Sequence, residues 1–340
     1  MAGGRLTLLV PPLFGPVSGL ERAATSDLPR LPALGALAAR GRPQAGYSPE
    51  AFLAAFFGDG AGLAALAHAG DTGEADDHFR LFADPVHLTA GHHHLVMDAT
   101  GEDLDLEPEE AAELVAALNE LHGDRGWTFS APLPQRWYLE LAEPVAVTTT
   151  PLPAVAGRPV DRGLPGGEAG RTFNAALAET QMALHDHPVN QRRASRGLPP
   201  VNSVWFWGEG RAAGLQRPTS TLWTDHPAAR GGARATGADL REPPADAETF
   251  LRTAGSGDHV VLLEEGRHAA ATAPGAWLEV MQALEAAWFA PLVAALQRGR
   301  LAEVALIGEA GGVSLTPGRA RRIWRRPWPV NRLAAGCSTG

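Results

Sequence analysis

The sequence predicts an α/β protein in which a parallel-sheet core is interrupted by an inserted α+β domain. Three observations predict it. Short, continuous apolar runs of the kind that fill strands covered on both faces lie near both ends of the chain, at Leu6–Val10, Val260–Leu263 and Val304–Ile307. Between them the pattern changes to short strands around one strong helix. The length of 340 residues exceeds one average domain and suffices for two cores. The expected division is residues 1–70 and 168–335 for the discontinuous core and 71–167 for the insertion.

Taken in order, Leu6–Val10 is stopped by Pro11-Pro12, as at a strand end. From Leu31 to Arg40, leucines at 31, 34 and 37 share one helical face, and Gly41 stands where a helix ends. Strands are expected at 79–82, 95–98, 127–129 and 137–141. Between them Pro108 suits a first helical turn, and Glu109 and Glu110 complement the helix dipole of a stretch running to His122. A Pro/Gly-rich connection, 151–167, leads to a helix over 168–185 and a strand over 203–207. Residues 208–245, of low complexity in Gly, Ala and Arg, are expected to be loop. A long amphipathic helix over 277–297 separates the last two buried strands.

Composition narrows the function classes. Hydrophobic residues make up 45% and charged residues 20%, an ordinary globular balance. The net charge of −9 gives no overall footprint for a polyanion, so nucleic acid is not an expected partner. There is no lysine, so every fixed side-chain cation is an arginine. One cysteine, Cys337, excludes an internal disulfide and points to a reducing cytoplasm. The opening apolar run is too short for a signal-peptide core, and no stretch is expected to span a membrane.

The most informative segment runs Glu179-Thr180-Gln181-Met182-Ala183-Leu184-His185-Asp186-His187-Pro188-Val189-Asn190-Gln191-Arg192-Arg193, then Gly197-Leu198-Pro199-Pro200-Val201-Asn202 to Trp205-Phe206-Trp207-Gly208-Glu209-Gly210. Arginine offers bidentate donors, asparagine offers donor and acceptor, and glycine admits close backbone approach, which together suit a small anion. This segment resembles the archaeal-type 2,3-bisphosphoglycerate-independent phosphoglycerate mutases. It more closely resembles a proteobacterial family of phosphoglycerate-mutase-like regulatory proteins of the regulation-of-pathogenicity-factors type. Asp84-Pro85-Val86-His87-Leu88, Arg136-Trp137-Tyr138-Leu139, Gly157-Arg158 and Gln181-Met182 carry the closer likeness, which runs from about residue 78 to 210.

The resemblance implies an alkaline-phosphatase-like core, two divalent metals held by Asp and His at strand ends, and a hydroxyl nucleophile beside them. The residues depart from that pattern. The first strand turns through Val10-Pro11-Pro12-Leu13-Phe14-Gly15 without a carboxylate. The helix at 28–38 runs into Gly41-Arg42-Pro43-Gln44-Ala45-Gly46-Tyr47-Ser48-Pro49, where the nucleophile segment is missing unless Ser26 or Ser48 fills that role. After Asp258-His259-Val260-Val261-Leu262-Leu263-Glu264 comes Glu265-Gly266-Arg267-His268-Ala269, and Gly308-Glu309-Ala310-Gly311 replaces an Asp-His turn.

The expectation is therefore a non-catalytic, regulatory member of this group, cytoplasmic and without cofactor, that binds a small anionic metabolite or a regulatory protein partner. Arg192 and Arg193 would read charge, Asn190, Asn202 and His187 would hydrogen-bond, and Arg158 and Arg136 would be second anchors. Two alternatives stand beside it. One is an active mutase or phosphatase with an altered site for two divalent metals such as manganese, using His268, Glu309, Asp258 and His259. The other is an interaction protein docking through Arg319, Arg321, Arg322, Arg325 and Arg326 with Trp324 and Trp328.

Each feature also has a plainer reading. Consecutive histidines 92–94 on a strand cannot all face one ion. The pair His185 and His187 reads as a loop pair. Arg192, Arg193 and Asn202 can brace loops, Trp137, Trp205 and Trp207 read as packing, and the C-terminal arginines read as a charged edge strand.

Overall fold

In the computed structural model the chain is described for residues 3–15, 17, 19–24, 28–58, 60–91, 94–264, 266–267 and 273–335. It divides into two units, one formed by Met1–Phe52, Pro218–Asp225 and Ala238–Gly340, the other by Leu53–Arg217 and His226–Gly237.

The first unit is built on a seven-stranded sheet. Five strands run parallel in the order Leu240–Arg241, Thr221–Trp223, His259–Leu262, Arg5–Leu9 and Glu303–Gly308. Gly311–Leu315 and Arg42–Gln44 then add on antiparallel. Arg5–Leu9 is central, with Leu6 beside His259 on one side and Val304 on the other. Its leucines at 6, 8 and 9 are buried, which is why an unbroken apolar run fits there. Arg42–Gln44 lies at the edge, the position where Pro43, lacking an N–H, does least harm.

Helices Pro32–Arg40 and Pro274–Leu284 contribute to the core of this unit, where Leu34 and Leu37 join Trp277, Met281, Trp288, Phe289, Leu292 and Leu296. The run Pro274–Gln297 is long and apolar enough to cross a membrane by length and composition, yet it supplies this core from one side. A π-turn, Glu285–Phe289, interrupts it. Glu285 there accepts hydrogen bonds from the backbone of Ala33 (2.5 Å) and Leu34 (2.9 Å). These are orphan donors at the start of Pro32–Arg40, whose own preceding residue, Leu31, cannot cap it.

The second unit carries a five-stranded antiparallel sheet. Its organising strand, Phe79–Ala90, pairs with Ser203–Gly210 along one edge and with Arg136–Leu141 and Leu95–Thr100 along the other. Trp127–Leu133 completes it. Helices Pro108–His122 and Gly170–His185 cover one face, where Leu114, Leu118, Trp127, Phe129, Phe173 and Phe206 form the core. Helices Leu63–Thr72 and Pro227–Thr236 pack together through glycines: a Cβ on Gly231 would lie 1.8 Å from the Leu66 carbonyl oxygen, and one on Gly70 would lie 2.0 Å from that of Pro227.

The mixed α/β class and the buried parallel strands agree with the sequence reading; several details do not. Gly170–His185 and Ser203–Gly210 belong to the second unit, so its middle segment runs on to Arg217 and does not end near 167. The stretch 208–245 is structured: Thr221–Trp223 is an inner strand and Pro227–Thr236 a helix, its glycines serving as contact surface. The C-terminal arginines form no edge strand: Arg319 lies in the short helix Pro317–Ala320 and the others follow it in an irregular, turn-containing stretch. His92, His93, Ser26, His268 and Cys337 lie outside the described residues.

Gly231→Ala should lower stability by about 1–3 kcal/mol by forcing two backbones apart, read from the midpoint of urea unfolding. Gly275→Ala, whose Cβ would enter open space, is the control and should leave the midpoint unchanged or raised. Glu285→Ala strands two N–H groups and should cost about 1–2 kcal/mol in the same measurement.

Candidate functional site

The segment singled out from sequence is engaged in holding the second unit together. Asn190, buried, donates to the carbonyls of Leu184 (2.7 Å) and Val201 (2.8 Å) and accepts from the Val201 N–H (2.9 Å). Arg193 has no exposed side-chain surface. Its guanidinium donates to the Glu110 carboxylate and to the carbonyls of Leu104, Asp105 (3.3 Å) and Pro199 (3.0 Å). Asn202 exchanges two 2.8 Å bonds with the backbone of Leu88. His187 caps helix Pro188–Ser195 by accepting from the Val189 N–H.

Arg192, half-exposed, pairs with Glu113 at 2.8 and 2.9 Å. Arg136 holds Asp71 through one nitrogen at 2.9 and 2.8 Å, and Arg158 reaches only the Ala154 carbonyl at 3.4 Å. Asn190, Arg193 and Asn202 thus spend their polar groups on the protein itself, whereas Arg192 and Arg158 keep part of their guanidinium in water. Trp137, Trp205 and Trp207 are buried and pack.

A second polar group in this unit was only half legible. Asp71 also accepts from the Tyr138 hydroxyl (2.7 Å), and Asp84 accepts from the Trp207 indole N–H (2.8 Å) and the Trp137 N–H (3.3 Å). Burial pushes the Asp84 carboxyl up to about 7 despite these donors and the charge of Arg136. Each acceptor is satisfied from within, so this is a buried brace.

In the first unit, polar side chains meet at the carboxyl ends of the parallel strands, where ligand sites of open α/β sheets lie. Arg267 is at the centre. It donates to Glu50 at 2.6 and 3.2 Å, contacts Glu309 closely, and stands 3.6 Å from Glu264. Its own N–H bonds the Glu264 carbonyl at 3.0 Å. The turn is tied together by Val10 N–H to Ile307, Glu309 N–H to Pro11 and Tyr47 N–H to Gly308. Ser48 follows at once and starts helix Pro49–Phe57: its hydroxyl accepts from the Ala51 N–H (3.2 Å), its carbonyl from Phe52, and it also hydrogen-bonds Glu50.

The charges here are strongly coupled. Burial pushes Glu50 up, but the hydrogen bond and charge of Arg267 outweigh it and hold this carboxyl below its ordinary value. Burial pushes Glu264 up to about 7, with the charges of Glu50 and Asp225 adding to the rise and Arg267 opposing it. Burial disfavours the Arg267 charge, but the bonds to Glu50 and Glu309 more than restore it.

Of the described residues expected for an altered metal site, only Glu309 is here, and His268 lies outside the described residues. Asp258 and His259 lie at the opposite, amino end of their strand: Asp258 accepts from the Arg5 N–H (3.1 Å), and buried His259 accepts from the Trp223 indole (3.3 Å). Glu50, Glu264 and Arg267 were missed. The available signal was position, since Glu264 directly follows a buried strand and Arg267 is one turn beyond.

No family model matches the chain. A stretch of 109 residues is 32% identical to the 2,3-bisphosphoglycerate-independent phosphoglycerate mutase of Methanosarcina barkeri, covering 32% of this chain and 27% of that protein. Another of 143 residues is 27% identical to a probable enzyme of the same name from Geobacter sulfurreducens, over 42% of this chain and 35% of that protein. The match thus spans 27% of one mutase and 35% of the other. Among solved structures, the PH0037 protein from Pyrococcus horikoshii superposes with a TM-score of 0.52 at 13% identity over 98% of this chain and 92% of that one, which shows a shared fold. The chain is phosphoglycerate-mutase-like.

One expectation is corrected by these findings. The relatives are mutases of the class whose resemblance implies divalent metals such as manganese, so a chain without cofactor does not follow from them. Among the described residues no three His, Cys, Asp or Glu side chains are arranged to hold an ion, and the carboxylates at the strand ends are engaged with Arg267. The described residues at the strand ends do not fit a two-metal centre.

Two outcomes are expected. Because the folded state prefers protonated Glu264, it binds more protons than the unfolded chain between about pH 4.3 and about pH 7, so this residue lowers stability as pH rises through that window. The stability of Glu264→Gln relative to wild type should therefore increase across that window and level off above it, in urea unfolding at stepped pH. Arg193→Met leaves buried Glu110 with only the longer contact to Arg196 (3.4 Å) and three carbonyls without their donor, and should cost about 3–5 kcal/mol in urea unfolding.

Proposed function

We propose that this chain acts on a phosphorylated small acid as a phosphoglycerate-mutase-type phosphotransfer protein, through an altered site at the strand ends of the first unit. The observation that carries the reading is Ser48. Its hydroxyl sits at the positive end of a helix, at the carboxyl edge of a parallel sheet and beside Glu50, the carboxylate that Arg267 holds. Sequence likeness to 2,3-bisphosphoglycerate-independent phosphoglycerate mutases supports the substrate class.

In this reading the Ser48 oxygen attacks the phosphorus of a phosphoglycerate. Its proton passes to Glu50, and the glycerate oxygen leaves with a proton from the medium. Return of the phosphoryl group to the neighbouring hydroxyl completes the exchange. The Arg267 guanidinium supplies positive charge beside the phosphoryl oxygens.

A second reading, a mutase-like protein that binds without turnover in a regulatory role, is supported by a specific observation. Glu50 is held below its ordinary range by Arg267, which makes it a weak proton acceptor, and Arg267 is already matched by carboxylates.

The test is interconversion of 3- and 2-phosphoglycerate, together with phosphatase activity on an aryl phosphate, with and without added manganese, and calorimetric titration of the same acids. Turnover that falls about a thousandfold or more in Ser48→Ala supports the first reading. Binding without turnover, retained in Ser48→Ala, supports the second. Neither turnover nor binding overturns both.

A further inference from the structure

The first unit carries a second concentration of charge that the strand-end site does not use. After helix Pro317–Ala320 the chain turns through Arg321-Arg322-Ile323-Trp324-Arg325-Arg326. Ile323 and Trp324 are each 73% exposed, two adjacent large apolar side chains facing water. Arg321, Arg325 and Arg326 are exposed around them, and Arg319 and Arg322 are half-buried. Arg42, on the edge strand, belongs to the same group, since its charge, with those of Arg322 and Arg325, acts on Arg319.

Among the described residues none of these six arginines pairs with a carboxylate, whereas Arg80, Arg125, Arg136, Arg192, Arg193 and Arg267 all do. What the patch has instead is backbone. Arg319 donates to the Arg40 carbonyl (3.1 Å), Arg321 to that of Gln297 (2.8 and 3.2 Å) and Arg325 to that of Ala39 (3.3 Å). The Arg40 side chain in turn holds the carbonyls of Ala320 (3.0 Å) and Arg325 (3.3 Å). These bonds fix the turn and leave its positive charge unneutralised, in a protein whose net charge is −9.

We propose that this segment docks the protein onto the surface of an anionic lipid bilayer. The argument is one of complementarity. Arginines near a bilayer are attracted to anionic headgroups, tryptophan belongs at the headgroup level, and a neighbouring isoleucine gains by entering the acyl boundary. Duplex nucleic acid would engage the arginines but leave Ile323 in water, and an acidic peptide offers no apolar phase to receive the pair. The helical run Pro274–Gln297 is not invoked, because its large apolar side chains are buried in the core or packed against it.

The experiment is flotation of the full-length chain with vesicles of phosphatidylcholine alone or enriched in phosphatidylglycerol, at low and high salt. The expected result is binding to the anionic vesicles only, weakened about tenfold or more by high salt. Trp324→Ser and Arg326→Glu should each lose it while keeping the wild-type unfolding midpoint, since both side chains are exposed and neither contributes to the bonds that fix the turn. Quenching of Trp324 fluorescence by a lipid-borne quencher, measured against Trp324→Ser, reads the contact directly. Equal binding to neutral vesicles, no binding to anionic ones, or unchanged binding by either variant overturns the proposal. So does retention by polyglutamate or duplex DNA with no vesicle binding, which would assign the patch to a soluble polyanion.

Discussion

A guanidinium taken out of water has to be matched donor for donor, and in this lysine-free chain that requirement shapes both units. Arg193, fully buried, draws together the Glu110 carboxylate and the carbonyls of Leu104, Asp105 and Pro199, residues far apart in sequence. Arg80 does the same for Asp76 and Glu140, and Arg136 for Asp71. A planar fork with five donors suits this work, whereas an ammonium would leave carbonyls unmet.

The same constraint governs the strand ends of the first unit. There Arg267 is the positive charge among carboxylates, in a fold whose resemblance implies metal ions at strand ends. A tethered guanidinium neutralises Glu50 and Glu309 without needing the short, convergent oxygen geometry of an ion, so the carboxylates are spread around a planar group. Glu264, at 3.6 Å, stays outside the close pairs, and burial holds its proton on near neutrality.

Arginines of the 319–326 segment differ from all of these in a simple respect: their partners are carbonyls, which carry no net charge. Hydrogen bonding satisfies the donors and fixes the geometry, while the charge remains to act outward. Identical residue types thus brace the core at Arg193 and project a field at Arg325, according to what faces them.

The fold class was legible because short, unbroken apolar strands such as Leu6–Val10 and Val304–Ile307 leave little choice but a sheet covered on both faces. The helix at 108–122 was legible from Pro108 and the acidic first turn. Low complexity at 208–245 concealed a strand and a helix, since periodicity cannot show that glycines at 231 and 232 serve close packing. Asn190, Arg193 and Asn202 looked like a ligand loop because residue type reports donors and acceptors, not whether a carbonyl already faces them. The strand-end site was legible only at Ser48 and Glu309, for the complementary reason. Glu50, Glu264, Arg267 and Glu309 are separated by up to 259 residues and meet only because parallel strands place all their carboxyl ends on one edge. Sequence by itself determined that the apolar runs near both ends are buried strands and that arginine carries all the fixed positive charge. Tertiary structure decided which arginines are matched, because pairing is a property of three-dimensional proximity and desolvation.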